Sequence, residues 1–242
     1  MELTGQRALV MGGGTGIGAA TARLFAEAGA EVVITGRRAG VLAETAAAIG
    51  ARVRPAAVDA TADEDLAAFF ADGTTYDHVV LALSGGSGAG PIADLALDDL
   101  REGFEAKLFA HVRALKATLP HLAADGSVTF IGAVSARAAL PGTAGLAAIN
   151  GAVEAMVGPL AAELAPRRVN AVSPGVIDTP WWHALPEEQR LAMFDGYAKI
   201  LPLGRIGLPE DVARAVVSVA ANGYITGTVL EVAGGAQLAT GR

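Results

Sequence analysis

The 242-residue chain has no cysteine, which excludes disulfide bonds, zinc ribbons and thiol nucleophiles, and we expect no metal site. Aromatic residues make up only 5% of the sequence, so its core must be built mainly from Ala, Val, Leu and Ile. Basic residues are also scarce, because 18 Lys and Arg face 25 Asp and Glu, a net charge of −7. Nucleic-acid-binding domains carry a basic stripe, and the pair Arg37 and Arg38 is too short to form one. We therefore expect no nucleic-acid partner.

Long hydrophobic runs are absent as well. The longest uncharged stretch, residues 138–153, is interrupted by Pro141 and three glycines, whereas a membrane span needs roughly 20 mostly apolar residues. No secretory signal precedes the first predicted strand, which begins at Arg7. These features predict a soluble, cytoplasmic protein without membrane contact.

Short apolar runs bounded by glycine alternate with helical patterns along the chain. Buried strands are predicted at about residues 7–11, 31–35, 53–58, 78–83, 127–131, 168–172 and 229–232, and helices at about 17–28, 39–49, 63–70, 97–122 and 145–164. Such alternation, with right-handed crossovers, gives a doubly wound parallel sheet. We therefore predict one α/β domain over residues 1–242, a Rossmann-type, three-layer αβα fold of about seven strands. The irregular stretch from about 173 to 208 predicts a lid, at about 180–208, over the carboxyl ends of the strands.

A glycine-rich loop, Gly12 to Gly18, joins the first predicted strand to the first helix. Glycines there let the backbone turn tightly and approach a pyrophosphate, while the helix N-terminus supplies free N–H groups and the positive end of its dipole. Glycines also serve ordinary turns and close helix–strand packing, so the loop alone is weak evidence. Its place within a βαβ unit favours a dinucleotide site.

Three motifs in this order resemble the classical short-chain dehydrogenase/reductase family over essentially the whole chain. They are the G-x-x-x-G-I-G loop, the segment Asn170–Pro180 (NAVSPGVIDTP), and the segment Tyr224–Leu230 (YITGTVL) followed by Gly234 and Gly235. The resemblance implies a bound nicotinamide cofactor. Its binding residues are then expected to be Gly12, Gly14, Thr15, Gly16, Ile17 and Gly18 in the loop, and Pro174, Gly175, Ile177 and Thr179 at the nicotinamide end.

The end of the second strand bears on cofactor choice. NAD-binding relatives place an acidic residue there for the ribose 2′-hydroxyl, but this chain reads Thr35, Gly36, Arg37 and Arg38. Guanidinium groups bind a 2′-phosphate well, so we predict NADP(H), with NAD(H) less favoured. The alternative is that both arginines are ordinary surface charges. Asp59 matches the family's adenine-contacting acid, although a lone acid there also suits a helix cap.

The family's Asn-Ser-Tyr-Lys tetrad is not retained. In that tetrad tyrosine donates the proton, serine positions the substrate oxygen, and lysine lowers the tyrosine pKa and holds the ribose. Aligned without gaps, the four positions hold Lys107, Ala133, Leu146 and Asn150, and residues 81–84 read Leu-Ala-Leu-Ser where the family has N-N-A-G. General acid–base help is worth roughly 10²–10⁴-fold, so its loss predicts atypical or impaired catalysis.

Two of these replacements are reciprocal, with lysine at the asparagine position and asparagine at the lysine position. We predict Lys107 and Asn150 as the candidate catalytic residues, with Lys107 supplying a cation near the nicotinamide ribose and Asn150 as its neutral partner. The alternative is that Lys107 faces solvent and Asn150 drifted once catalysis was lost, because lysine is almost never buried without a partner. Ser135 is a poor acid without a base, and His111 and His183 are each more often structural than catalytic.

Aromatic residues cluster in the predicted lid. Trp181 and Trp182 follow the Pro-Gly segment, and Phe194 and Tyr197 come soon after. The cluster predicts an apolar pocket for a small carbonyl or alcohol substrate near Trp181, Trp182 and Phe194; the alternatives are a lid anchor or a subunit interface. A helix is expected within residues 183–197. By the resemblance, the helices at 97–122 and 145–164 form the faces of a homodimer or homotetramer, and Pro159 should kink the second.

Three functions remain open from the sequence. The first is an NADP(H)-dependent oxidoreductase with atypical catalysis, which the resemblance favours. The second is a family member without catalysis that binds the cofactor as a sensor or scaffold. The third is a non-redox enzyme on the same fold, which predicts no nicotinamide binding or a purely structural cofactor.

Overall fold

A computed structural model describes residues 2–238, in which seven strands form one parallel sheet in the order β3-β2-β1-β4-β5-β6-β7. The strands are β1 (Arg7–Met11), β2 (Glu31–Gly36), β3 (Val53–Ala57), β4 (Tyr76–Leu81), β5 (Leu122–Ile131), β6 (Arg168–Pro174) and β7 (Val229–Val232). The order changes direction between β1 and β4, which makes a crevice at their carboxyl ends. The predicted Rossmann-type, doubly wound sheet is confirmed.

Helices cover both faces of this sheet. They are α1 (Gly16–Glu27), α2 (Ala39–Ile49), α3 (Asp63–Phe70), α4 (Leu97–Phe104), α5 (Ala110–Thr118), α6 (Ala144–Ala155), α7 (Val157–Glu163), α8 (Glu187–Ile200) and α9 (Pro209–Ala221). The side chains of the central strand β1 show why helices must pack on both faces of the sheet. Ala8 and Val10 pack into a cluster with α1, α2 and α9, while Leu9 and Met11 pack into a second cluster with α3, α5, α6 and α7. All four side chains are fully buried, as in parallel strands covered on both faces.

The helix predicted over residues 97–122 is not continuous. After α4 the chain forms a wider π turn, Glu105–Phe109, before α5, and a short 3-10 turn, Leu119–His121, follows α5. A π turn changes the direction in which the following side chains point, and such turns occur often at functional sites. Lys107 lies in the middle of this turn and is buried.

The helix predicted over residues 145–164 is divided in two at Met156. Pro159 has no N–H to donate to the carbonyl of Ala155, which explains why the helix breaks there. Among the described residues, one helical segment, residues 144–163, has the length and the apolar composition that a membrane span would need. Its large buried apolar side chains form one stripe at a spacing of four against the sheet, so it is a core element: Ile149, Val153, Val157 and Ala161.

The prediction of irregular structure over residues 173–208 is wrong in part. The segment contains a 3-10 turn, Pro180–Ala184, and the 14-residue helix α8. This helix was expected within residues 183–197, and it begins after Pro186 with two glutamates. The helix α9 was not predicted. Its start carries the same signal, because Pro209 is its first residue and Glu210 and Asp211 lie in its first turn.

Candidate functional site

A cleft of about 470 Å³ opens along the carboxyl ends of the strands. Its walls come from the segments that follow six strands: residues 12–18, 35–38, 58–61, 82–85, 131–135 and 174–182. Residues 103–110 and the start of α6 close one end, and Trp181 and Trp182 also line the cleft. Doubly wound sheets bind ligands in this crevice, beside the point where the strand order reverses.

The glycine loop packs so closely that side chains are excluded at Gly12, Gly13 and Gly18, where a Cβ atom would lie within 3.0 Å of neighbouring atoms. A Cβ atom on Gly12, whose φ is +85°, would overlap the carbonyl oxygen of Ala82, and one on Gly18 would overlap the carbonyl oxygen of Gly12. The N–H groups of Gly12 and Gly13 donate to the carbonyl of Thr35 at 2.8 and 3.1 Å. The loop is therefore fixed between β1, β2 and the end of β4.

The N-terminus of α1 faces the cleft from this loop. Its N-cap residue, Thr15, makes no side-chain capping hydrogen bond, and its first turn, Gly16 to Ala19, contains no acidic residue. Free N–H groups at the positive end of a helix dipole suit a diphosphate. The loop residues predicted for this role, Gly12, Gly14, Thr15, Gly16, Ile17 and Gly18, all line the cleft. The donors present fit the diphosphate of a dinucleotide.

Arg37, Arg38 and Asp59 lie together at one end of the cleft, where both arginines are exposed. The carboxylate of Asp59 accepts hydrogen bonds from the hydroxyl and the N–H of Thr61 at 2.7 and 2.9 Å. These bonds, and the nearby Arg37 charge, hold the pKa of Asp59 below its usual range. Asp59 thus fixes the turn that leads to α3 and faces the cleft, but it is not the helix cap that the sequence allowed, because the N-cap residue of α3 is Ala62.

The four tetrad positions, Lys107, Ala133, Leu146 and Asn150, meet at the other end of the cleft. Lys107 is only 9% exposed, so the alternative that it faces solvent is wrong. Its Nζ donates to the carbonyl oxygen of Gly132 at 3.3 Å. Burial lowers the pKa of Lys107 from 10.5 to about 8, against an opposing contribution from the negative charge of Glu154. The ammonium is therefore held near its titration point at physiological pH.

Asn150 contacts Ser135 rather than Lys107. Its Nδ2 donates to the Ser135 hydroxyl oxygen at 3.1 Å and to the Leu146 carbonyl at 2.9 Å. Because the amide donates to that hydroxyl oxygen, the Ser135 O–H remains free to donate into the cleft that Ser135 lines. The predicted pair of Lys107 and Asn150 lines one wall, and the recorded hydrogen bonds between residues 2 and 238 do not join them directly.

The two candidate histidines lie outside the cleft lining. His111 is fully buried between the π turn and the end of β4, and its ring nitrogens lie 2.7 and 3.0 Å from the carbonyl oxygens of Lys107 and Leu81, one of which accepts the single N–H of the neutral ring. Burial, together with the Lys107 charge, lowers its pKa to about 4, and the ring is neutral at physiological pH. His183 is exposed in the turn 180–184.

The aromatic cluster at residues 181–197 differs from the prediction at one residue. The indole N–H of Trp181 donates to the Gly85 carbonyl at 3.3 Å, across the cleft, and that of Trp182 donates to the Ile177 carbonyl at 2.9 Å. The prediction that Phe194 lies at the substrate is wrong. Phe194 is buried behind Trp182, with ring centroids 6.0 Å apart. Tyr197, almost one helical turn later on α8, lines the cleft instead.

The nicotinamide-end residues Pro174, Gly175, Ile177 and Thr179 also line the cleft. A Cβ on Gly175 would lie 2.8 Å from the backbone of Ala233, which explains the glycine, and Thr179 lies against Gly16. Two residues of the site were missed by the sequence reading: Gly132 and Glu154. The spacing of four between Asn150 and Glu154 places both on one face of α6 and was the available signal.

The sheet, the glycine loop and the bare helix N-terminus together define a Rossmann-type dinucleotide-binding protein. The family model described as Enoyl-(Acyl carrier protein) reductase matches residues 12–237, and this chain belongs to the short-chain dehydrogenase/reductase family of oxidoreductases, which bind a nicotinamide cofactor. An L-fucose dehydrogenase of Oryctolagus cuniculus is 34% identical over 98% of this chain and 87% of its own length.

Two solved structures are similar over nearly their whole length. A small-chain dehydrogenase in complex with NADPH is 30% identical, with a TM-score of 0.83, covering 96% of this chain and 99% of that one. A short-chain oxidoreductase of Pseudomonas aeruginosa PAO1, described as containing an atypical catalytic center, is 28% identical with a TM-score of 0.88, covering 97% and 98%. The family resemblance found in the sequence is confirmed.

The packing of the loop gives a testable contrast between two glycines. Gly12→Ala forces an L side chain into a positive φ and against Ala82, and we expect the free energy of unfolding to fall by at least about 1–3 kcal/mol. Gly14→Ala is the matched control, because its Cβ meets only the side chains of Leu42 and Val41, at 3.3 and 3.6 Å, without a positive φ. Urea unfolding followed by tryptophan emission measures both. Equal stability of the two variants would contradict the described loop.

Proposed function

We propose that this protein is an NADP(H)-dependent oxidoreductase that acts on a small, apolar carbonyl or alcohol without a tyrosine acid. One observation carries the proposal. A single cleft joins a phosphate-binding loop and two exposed arginines at one end to a buried lysine of lowered pKa at the other. The family membership supplies the reaction class, and the similarity to a dehydrogenase that binds NADPH supports the choice of cofactor.

Arg37 and Arg38 favour the phosphorylated cofactor. They follow β2 at the position where an acidic residue would bind an unmodified ribose. Among residues 2–238 neither arginine forms an ion pair within 4.0 Å, whereas Arg23 and Arg52 are paired with glutamates. Their guanidinium groups are thus available for a 2′-phosphate, which they bind with charge-assisted hydrogen bonds.

The bound cofactor supplies or accepts a hydride at the nicotinamide end. Lys107 provides the positive charge there, where it can hold ribose hydroxyls or stabilise the negative charge that develops on a substrate oxygen. With a pKa of about 8, it can also give or take a proton near neutral pH. Ser135, held by Asn150, offers an O–H to the same region.

The walls around these groups suit a small apolar substrate. Leu146 and Ala133 replace polar family residues, and Leu140 and Ile149 line the same end of the cleft. Trp181, Trp182 and Tyr197 close it from the lid. Lys107, Ser135 and Thr143 are polar groups at this end that can orient the substrate oxygen.

We also infer a homodimer or homotetramer built on α4, α5, α6 and α7. Gly151 and Gly158 lie two helical turns apart, and a Cβ atom at either would meet no atom within 4 Å. Phe109 on the neighbouring π turn is 45% exposed. Small residues on one helix face and an exposed aromatic beside it allow close approach of a second copy.

Cofactor choice is tested with Arg37→Ala. Loss of one charge-assisted hydrogen bond is worth about 1.5–3 kcal/mol, so we expect NADPH to bind about 10- to 100-fold more weakly. NADH affinity should stay unchanged, as should NADPH affinity in Arg54→Ala, an exposed arginine on β3 outside the cleft. Tryptophan emission follows each titration. Equal losses for NADPH and NADH would show that Arg37 does not contact the 2′-phosphate.

The catalytic role of Lys107 is tested with Lys107→Met, which keeps the side chain's length and removes its charge. Turnover of NADPH with a panel of small aldehydes and ketones should fall by about 10²-fold or more. Lys199→Met, on the exposed face of α8, is the control and should retain turnover. Tight NADPH binding by the wild-type protein with no turnover of any compound would favour the sensor, and no binding of either cofactor would favour the non-redox enzyme.

A further inference from the structure

Glu154 is a buried acid whose charge lies beneath the chemical end of the cleft. Its side chain is only 6% exposed, and its Oε2 lies 3.2 Å from a guanidinium nitrogen of Arg137. Its Oε1 is buried and has no hydrogen-bond partner among residues 2–238. A buried carboxylate oxygen without a partner is costly, so a second positive charge is expected on that side.

Lys107 is on that side, and Gly132 separates the two. The carbonyl oxygen of Gly132 accepts from Lys107 Nζ at 3.3 Å, and a Cβ built on Gly132 would lie 2.8 Å from Glu154 Oε1. Both charged groups therefore pack against Gly132, and among residues 2–238 no ion pair within 4.0 Å joins them directly. Lys107 uses one of its three N–H donors on Gly132, while Asn150 Oδ1 and Glu154 Oε1 are buried acceptors without partners.

We propose that Glu154 is the positioning residue of this site, which acts on Lys107 across Gly132 through its negative charge. The inference rests on the proposed role of Lys107 and names the group that sets its charge. Glu154 does not line the cleft itself and so acts through Lys107.

Arg137 moderates this effect from the surface. It is 45% exposed and joins Glu154 to Glu231 of β7, at 3.2 and 2.9 Å. Charges therefore alternate from the cleft outward through Lys107, Glu154, Arg137 and Glu231. The remaining titratable group against Lys107, His111 on α5, is neutral at physiological pH. Removing Glu154 and removing Arg137 should change the titration of Lys107 in opposite directions.

The test follows Lys107 in the protein without cofactor. The chain has only three lysines, and Lys116 and Lys199 are both exposed, so biosynthetic labelling with ¹³C-lysine gives three resolvable Cε–Hε signals. In Glu154→Gln, the midpoint of the Lys107 signal should fall by about 1–3 pH units, the effect of losing one close opposite charge. In Arg137→Gln it should rise. Glu163→Gln, an exposed acid at the end of α7, should leave it unchanged.

The two variants should shift the Lys107 midpoint in opposite directions if Glu154 acts through its charge. If Glu154 had only a structural role, both variants would shift the midpoint in the same direction, or neither would shift it. If Glu154→Gln does not fold, the inference is tested with the Arg137→Gln titration alone. That variant should fold, because the Arg137 side chain is half exposed. An unchanged or lowered midpoint in Arg137→Gln, or an unchanged one in Glu154→Gln, overturns the inference. Turnover separates it from the proposed function. If the Lys107 midpoints shift as expected but neither the wild-type protein nor any variant turns over NADPH, the role of Glu154 stands and the proposed oxidoreductase activity is rejected.

Discussion

The chemical end of the cleft depends on one buried ammonium. Taking a lysine out of water costs several kcal/mol in a protein unless partners offset it, and Lys107 is 9% exposed. Its neighbours supply that offset: the carbonyl of Gly132 accepts a hydrogen bond, and the carboxylate of Glu154 supplies the opposite charge. The π turn at residues 105–109 makes the burial possible, because it turns the Lys107 side chain toward the strand ends. Both charged groups pack against Gly132, where a Cβ atom would lie 2.8 Å from Glu154 Oε1.

The rest of the site follows from the sheet. Parallel strands end at one edge, so the segments after six strands converge there although they are distant in sequence. The loop after β1 offers N–H groups, the segment after β2 offers guanidinium groups, and the segment after β6 carries Trp181 and Trp182. A molecule that spans these groups carries phosphate at one end and its reactive ring at the other. That order matches a nicotinamide dinucleotide, which the family binds.

Much of this was predictable because it depends on local sequence. The alternation of strands and helices, the glycine loop and the Pro-Gly segment each have a pattern that fixes backbone conformation nearby. Features that depend on helix rotation were not predictable. The sequence did not show that Lys107 is buried, that Phe194 turns away from the cleft while Tyr197 faces it, or that Glu154 approaches Gly132. Each is set by how a helix packs on the sheet, which residue spacing alone does not determine.

The most direct test of a charged Lys107 at the cofactor is the number of protons taken up when NADPH binds. Calorimetric titration at pH 8.5, in two buffers of different ionisation enthalpy, measures it. A lysine with a pKa of about 8 is mostly neutral at that pH, and contact with ribose hydroxyls favours the charged form. Wild-type protein should therefore take up about half a proton or more on binding NADPH, and Lys107→Met should take up almost none. Equal proton uptake by the two proteins would contradict the role given to Lys107.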